Sequence, residues 1–137
     1  MKKTVQLSFI YAILAMVGGV FYREFTKFNQ FQGTTSLSLV HTHFFMLGML
    51  MMLIVTLFIA YAHIDEAKRF KTFMYTYNSG LIITAIMLFV RGFFQVTQPA
   101  LSNALNASIS GIAGIGHALL GIGIVCFFLS LKEKIKG

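Results

Sequence analysis

Residues 38–71 read "SLVHTHFFMLGMLMMLIVTLFIAYAHIDEAKRFK". From Leu37 to Ala62 there is no Asp, Glu, Lys or Arg, and then five charged residues fall between His63 and Lys71. An uncharged run of this length satisfies the roughly 20 residues that a helix needs to cross hydrocarbon. The abrupt return of charge marks its arrival at water. Three similar stretches stand at about 5–22, 72–94 and 108–131. With 137 residues, 57% hydrophobic and 11% charged, nothing is left over for a soluble domain. The expectation is an all-α integral membrane protein: one domain over 1–137, an antiparallel four-transmembrane-helix bundle with helices at about 5–22, 37–62, 72–94 and 108–131. The second and fourth helices then run in the same direction and are expected to be diagonal neighbours across the interior.

The net charge of +7 would suggest a nucleic-acid partner in a soluble protein, but its distribution suits a membrane better. Lys2 and Lys3 precede the first helix, Lys68, Arg69 and Lys71 separate the second from the third, and Lys132, Lys134 and Lys136 follow the fourth. The positive-inside rule puts both termini and the middle loop in the cytoplasm, with the lipid bilayer as partner and no nucleic acid. A homo-oligomer is compatible with this pattern. Lys2-Lys3 before an apolar stretch also fits a secretory signal, but Gly18-Gly19 leads into a structured-looking polar segment and a retained helix is expected. The connection at 23–36, "REFTKFNQFQGTTS", interleaves aromatics with amides, and hydroxyl residues at its end suit a helix cap. The connection at 95–107 holds Pro99, which favours an irregular segment or a short interfacial helix.

Imidazole is costly in hydrocarbon unless it binds something, and His41, His43 and His117 all lie within the expected spans. Residues i and i+2 on a helix point about 200° apart, so His41 and His43 do not share a face. The stripe of His41 runs through Phe44, Phe45, Gly48, Met52 and Val55; that of His43 runs through Met46, Leu47, Leu50, Ile54 and Leu57 and reads as lipid-facing bulk. The glycine favours His41 as the inward residue, with His43 as the alternative. On the fourth helix Gly114 and Gly121 flank His117 on its own face. Such a run reads either as a small-residue packing seam or as a flat slot beside the imidazole. Together with histidine on the second helix, the slot suits a planar ligand.

Haem b meets these constraints: His117 and His41, or His43 in its place, as ligands to the iron, with Phe44 and Phe45 around the macrocycle. The propionates need donors, and Arg91 is the one charge within the third helix, with Gln95 four residues on. Arg23 and Lys27 are second candidates, against an ordinary reading as solvated interfacial charges. His63, beside Asp65 and Glu66, reads as solvated. Cys126, the one cysteine, reads as a packing residue, and the methionines as apolar filler, not a copper pathway.

The stretches "GVFYREFTKFNQFQGTTSLS", "VHTHFFMLGM", "RGFFQV" and "SGIAGIGHALLGIG" resemble a family of small four-helix bacterial membrane proteins of formerly unknown function that includes a haem-sequestering membrane protein. The resemblance implies haem b binding in the bacterial cytoplasmic membrane and protection from haem or oxidative stress. "LVHTH" is also similar to the "HTN" stretch around the low-spin haem ligand of haem-copper oxidases, whose first histidine falls on His41. Other readings stay open. One is a one-haem b-type cytochrome taking electrons from quinol, another a metal-ion transporter or binding protein. A third is an accessory subunit whose histidines are satisfied by Thr42 and Ser110.

Overall fold

The computed structural model describes residues 1–97 and 101–135, which include four helices long and apolar enough to cross a membrane. They are α1 (Lys2–Phe28), α2 (Leu37–Ala62), α3 (Phe70–Thr97) and α4 (Asn103–Ile135). α2 has the bounds expected for it, and the other three cover their expected spans and run beyond them, α1 by taking in Arg23–Phe28. Nothing in "REFTKF" breaks a helix, and charge tolerated at headgroup level does not unwind one. α1 stops where the Asn29 side chain donates to the Phe25 carbonyl (2.8 Å) and Gln30 turns left-handed at φ 51°. α2 ends similarly at His63, with φ 50° and ψ 41°, followed by a 3-10 turn at Ile64–Glu66. Pro99, and with it the expected irregular segment there, lies outside the described residues.

Within α2, Phe44–Leu50 is a π-helical stretch. A π turn takes one more residue than an α turn, so everything beyond it is rotated relative to a continuous helix. Two neighbours brace it: Ser8 Oγ of α1 donates to the Met49 carbonyl (3.0 Å) and Tyr77 OH of α3 to the Leu47 carbonyl (2.9 Å).

The helices pack as two triangles sharing the α2–α3 pair. α1 lies along α2 and α4 along α3. Aromatic contacts, Phe21 on Phe89 and Phe25 on Phe93 at 5.1 Å each, join α1 to α3. α2 and α4 are therefore adjacent, not diagonal as expected, and α1 and α4 occupy opposite sides. Glycines set this arrangement. A Cβ on Gly80 would stand 2.6 Å from Leu120 N, and one on Gly48 2.6 Å from Tyr11 Cγ. Thr35 Oγ1 donates to the Gly92 carbonyl (2.9 Å), fixing the start of α2 on α3.

Lys2, the Ile64–Glu66 turn and Ile135 share one end, here the terminal end; the opposite is the far end. At the terminal end Lys134 Nζ meets Glu66 Oε2 at 2.7 Å. This bond and the nearby lysine charge hold the exposed Glu66 carboxyl below its ordinary range. A carboxyl lowered by folding stabilises the fold above its unfolded pKa and loses that contribution as pH falls through the lowered value. Glu66→Gln should therefore cause a small loss of stability at neutral pH that vanishes on acidification below the glutamate range. Paired unfolding curves across pH check this; a difference that persists in acid would contradict it.

Candidate functional site

His43 is half-buried, and its Nδ1 donates to the Leu39 carbonyl at 2.8 Å. His117 is exposed on α4 and repeats the arrangement, Nδ1 to the Ala113 carbonyl at 2.8 Å. In each case the bond to the residue's own preceding turn fixes the ring and its tautomer, and leaves Nε2 free to accept a ligand. Neither imidazole is satisfied by a hydroxyl: Thr42 bonds the Leu39 carbonyl, and Ser110 bonds the Asn106 carbonyl.

A groove of about 450 Å³ lies between α2 and α4, and each histidine stands on the helix stripe that forms one of its walls, outside the lining residues and toward the far end. The α2 wall is Met46, Leu47, Met51, Ile54 and Phe58, continuing the face of His43. The α4 wall includes Ile124, Phe128 and Leu131, seven, eleven and fourteen residues after His117 and on its stripe. Tyr77 of α3 also lines it. The stripe of His43, expected to face lipid as Leu50 and Leu57, thus lines the groove as Met51 and Phe58. The π turn supplies this one-residue change of phase.

Phe58 and Phe127 meet across the groove at 6.0 Å. His43 lies fifteen residues from Phe58 and His117 ten from Phe127, both toward the far end. At about 1.5 Å per residue the two come within roughly 8 Å of one level. The backbones of α2 and α4 approach each other along Met51–Ala62, toward the terminal end from the imidazoles. A Cβ added at Gly114 or Gly121 would meet nothing within 4 Å, which leaves a bare strip on either side of His117.

His41 lies elsewhere. It packs against Gly18 and Gly19 of α1 and stacks on Tyr22 at 6.4 Å, and its buried Nδ1 has no partner. Phe44 stacks on Tyr11 at 5.8 Å and Gly48 seats the same tyrosine. The stripe favoured from sequence therefore faces α1, not α4: its glycine makes room for a neighbouring side chain. Phe45, one residue further round, is half-buried.

Arg91 Nη2 donates to Ser110 Oγ at 2.6 Å. Ser110 is seven residues before His117 on the same stripe, so the guanidinium stands at the far end of the strip. Gln95 does not join it, because its Oε1 accepts from Ser36 N (2.7 Å) at the start of α2. Arg23 pairs loosely with Glu24 at 3.7 Å, both exposed, and Lys27 is exposed. Among the described residues no three His, Cys, Asp or Glu side chains converge as a metal-ion site. Cys126 is buried, as expected of a packing residue.

Tyr77 and the Ile124–Phe128 wall were absent from the sequence-derived site. A tyrosine well inside a span was the available signal. No local cue marks the π turn that rotates the α2 wall. No curated protein and no solved structure matches the chain. Over residues 1–134 its sequence matches the family described as "Protein of unknown function (DUF2871)", and the chain belongs to that family.

Proposed function

We propose that this protein binds haem b at the α2–α4 groove, where Nε2 of His43 and Nε2 of His117 would hold the iron, and that its role is to sequester haem in the membrane. The observation that carries this reading is the matched pair of imidazoles, each tied through Nδ1 to its own helix with Nε2 unbonded, and each on the stripe that continues into one wall of the groove. The donor set suits the group: two imidazoles with Nε2 unbonded, an apolar wall on each helix, and a strip of α4 without side chains. When bound, haem would supply a redox-active iron, and a site that offers it two imidazoles suits holding the group more than turnover.

The chain's own residues then have distinct tasks. The Leu39 and Ala113 carbonyls orient the rings. Gly114 and Gly121 keep the strip clear, and the Met46–Phe58 wall excludes water. Arg91 offers a planar, permanently charged donor set suited to a carboxylate. Under the positive-inside rule the lysine-rich terminal end faces the cytoplasm, which puts the two histidines toward the outer half of the bilayer.

The test is a reduced-minus-oxidised visible spectrum of the detergent-purified protein after hemin loading. The reading expects a sharp reduced α band and about one haem per chain, the signature of bis-histidine b-type ligation. A protein that stays colourless in excess hemin would overturn it. Arg91→Ala should keep the band but release haem about tenfold faster, which corresponds to ~1.4 kcal/mol, the scale of one charged hydrogen bond. Transfer of haem to a tight soluble acceptor measures this, and an unchanged off-rate would confine Arg91 to its contact with Ser110.

A further inference from the structure

At the terminal end a second cavity, of about 500 Å³, opens between the starts of α1 and α3. We propose that it binds the phosphate headgroup of an anionic phospholipid. Lys2 and Lys3 enter from the first turn of α1 and Lys71 from the first turn of α3. All three are exposed, and none forms an ion pair among the described residues, whose two ion pairs are Arg23–Glu24 and Lys134–Glu66. Both helices also direct the positive ends of their dipoles here. One carboxylate, Asp65, lies on the rim, so the cavity retains an excess of positive charge.

Beneath the lysines the lining turns apolar, through Ile59, Phe70 and Met74. Ile59 and Phe70 are buried members of the core, so this floor is fixed in place. Cations above an apolar floor at the level where α1 enters the bilayer match a ligand with an anionic head and a hydrocarbon tail. A free phosphate makes no use of the floor, and a zwitterionic headgroup brings its own cation to the three lysines. The site is separate from the α2–α4 groove, and neither reading depends on the other.

Native mass spectrometry of the full chain in mild detergent, titrated with phosphatidylglycerol, tests the proposal. The expected result is one retained phosphatidylglycerol per chain at concentrations where phosphatidylcholine is not retained. Lys2→Gln/Lys3→Gln/Lys71→Gln should weaken retention by about tenfold or more, since each basic residue near the surface contributes to anionic-lipid attraction. The control Lys68→Gln/Arg69→Gln/Lys132→Gln removes the same charge from the same end and should leave retention near wild type. Phosphatidylglycerol should also raise the thermal midpoint of the wild type and not that of the first variant. Equal weakening in both variants would mean diffuse attraction and would overturn the site. Equal retention of phosphatidylcholine, or displacement of the lipid by inorganic phosphate at matched concentration, would overturn the assignment of the ligand.

Discussion

Replacing His117 with alanine should abolish the low-spin haem spectrum, His43→Ala should do the same, and His41→Leu should leave it intact. The first two substitutions remove the imidazoles whose Nε2 atoms are unbonded, and the groove lining, which includes Met46, Met51 and Tyr77, offers no other imidazole to take their place. Loss of an outer-shell partner already costs about 10–100-fold in metal affinity, so loss of an axial ligand should cost ~100-fold or more. His41 gives the contrasting case because it is enclosed against Gly18, Gly19 and Tyr22. Leucine preserves much of its volume and removes a buried nitrogen that has no partner, so the fold should hold or gain slightly. Hemin titration with visible spectra of the three variants decides the matter. A normal spectrum in His117→Ala would remove the bis-histidine site. Loss in His41→Leu with retention in His43→Ala would return the α2 ligand to the residue that the sequence stripe favoured.

The surroundings of His41 and His43 separate what local sequence fixes from what the assembled bundle fixes. Counting uncharged residues located four spans, because bilayer thickness and helix rise act on each segment separately. The rule that residues i and i+2 point apart also separates the two histidines here, one against α1 and the other on the stripe that continues into the α2 wall of the groove. Which of the two faces α4 depends on the order of helices around the bundle, and on a π turn that moves the wall from Leu50 and Leu57 to Met51 and Phe58. Neither is encoded locally. Gly48 illustrates the same limit: a glycine that clears space for a ligand and one that seats Tyr11 look alike in a sequence. Gly114 and Gly121, by contrast, do flank His117 on an open surface. Arg91 and Gln95 are on one helix face by spacing, yet they serve different neighbours, Ser110 on α4 and Ser36 at the start of α2.

The glycines of the α3–α4 pair give the second large effect. Gly80→Ala should destabilise the protein, whereas Gly114→Ala on the facing helix should not. In water alanine gains about 1 kcal/mol over glycine within a helix, so an alanine that meets no obstacle is neutral or mildly favourable. At Gly114 there is nothing within 4 Å of the new methyl. At Gly80 the methyl would stand 2.6 Å from Leu120 N and 2.7 Å from the Gly116 carbonyl oxygen, both backbone atoms of α4 that move only if the helices separate. Overpacking of this kind costs typically about 1–3 kcal/mol and more where backbone must shift, enough to outweigh the propensity gain. Separation would also undo the neighbouring contacts, since Cβ atoms at Gly116 and Gly123 would meet Thr84 and Tyr77 at 2.6 and 2.7 Å. Reversible unfolding in mixed micelles, followed by helical signal, should rank Gly80→Ala well below wild type and Gly114→Ala beside it; equal stability of the two variants would contradict the close α3–α4 approach. Gly114→Leu extends the comparison to function. It should fold like the wild type yet take up hemin poorly, because its side chain fills the strip beside His117, and undiminished uptake would show that no planar ligand lies against that face of α4.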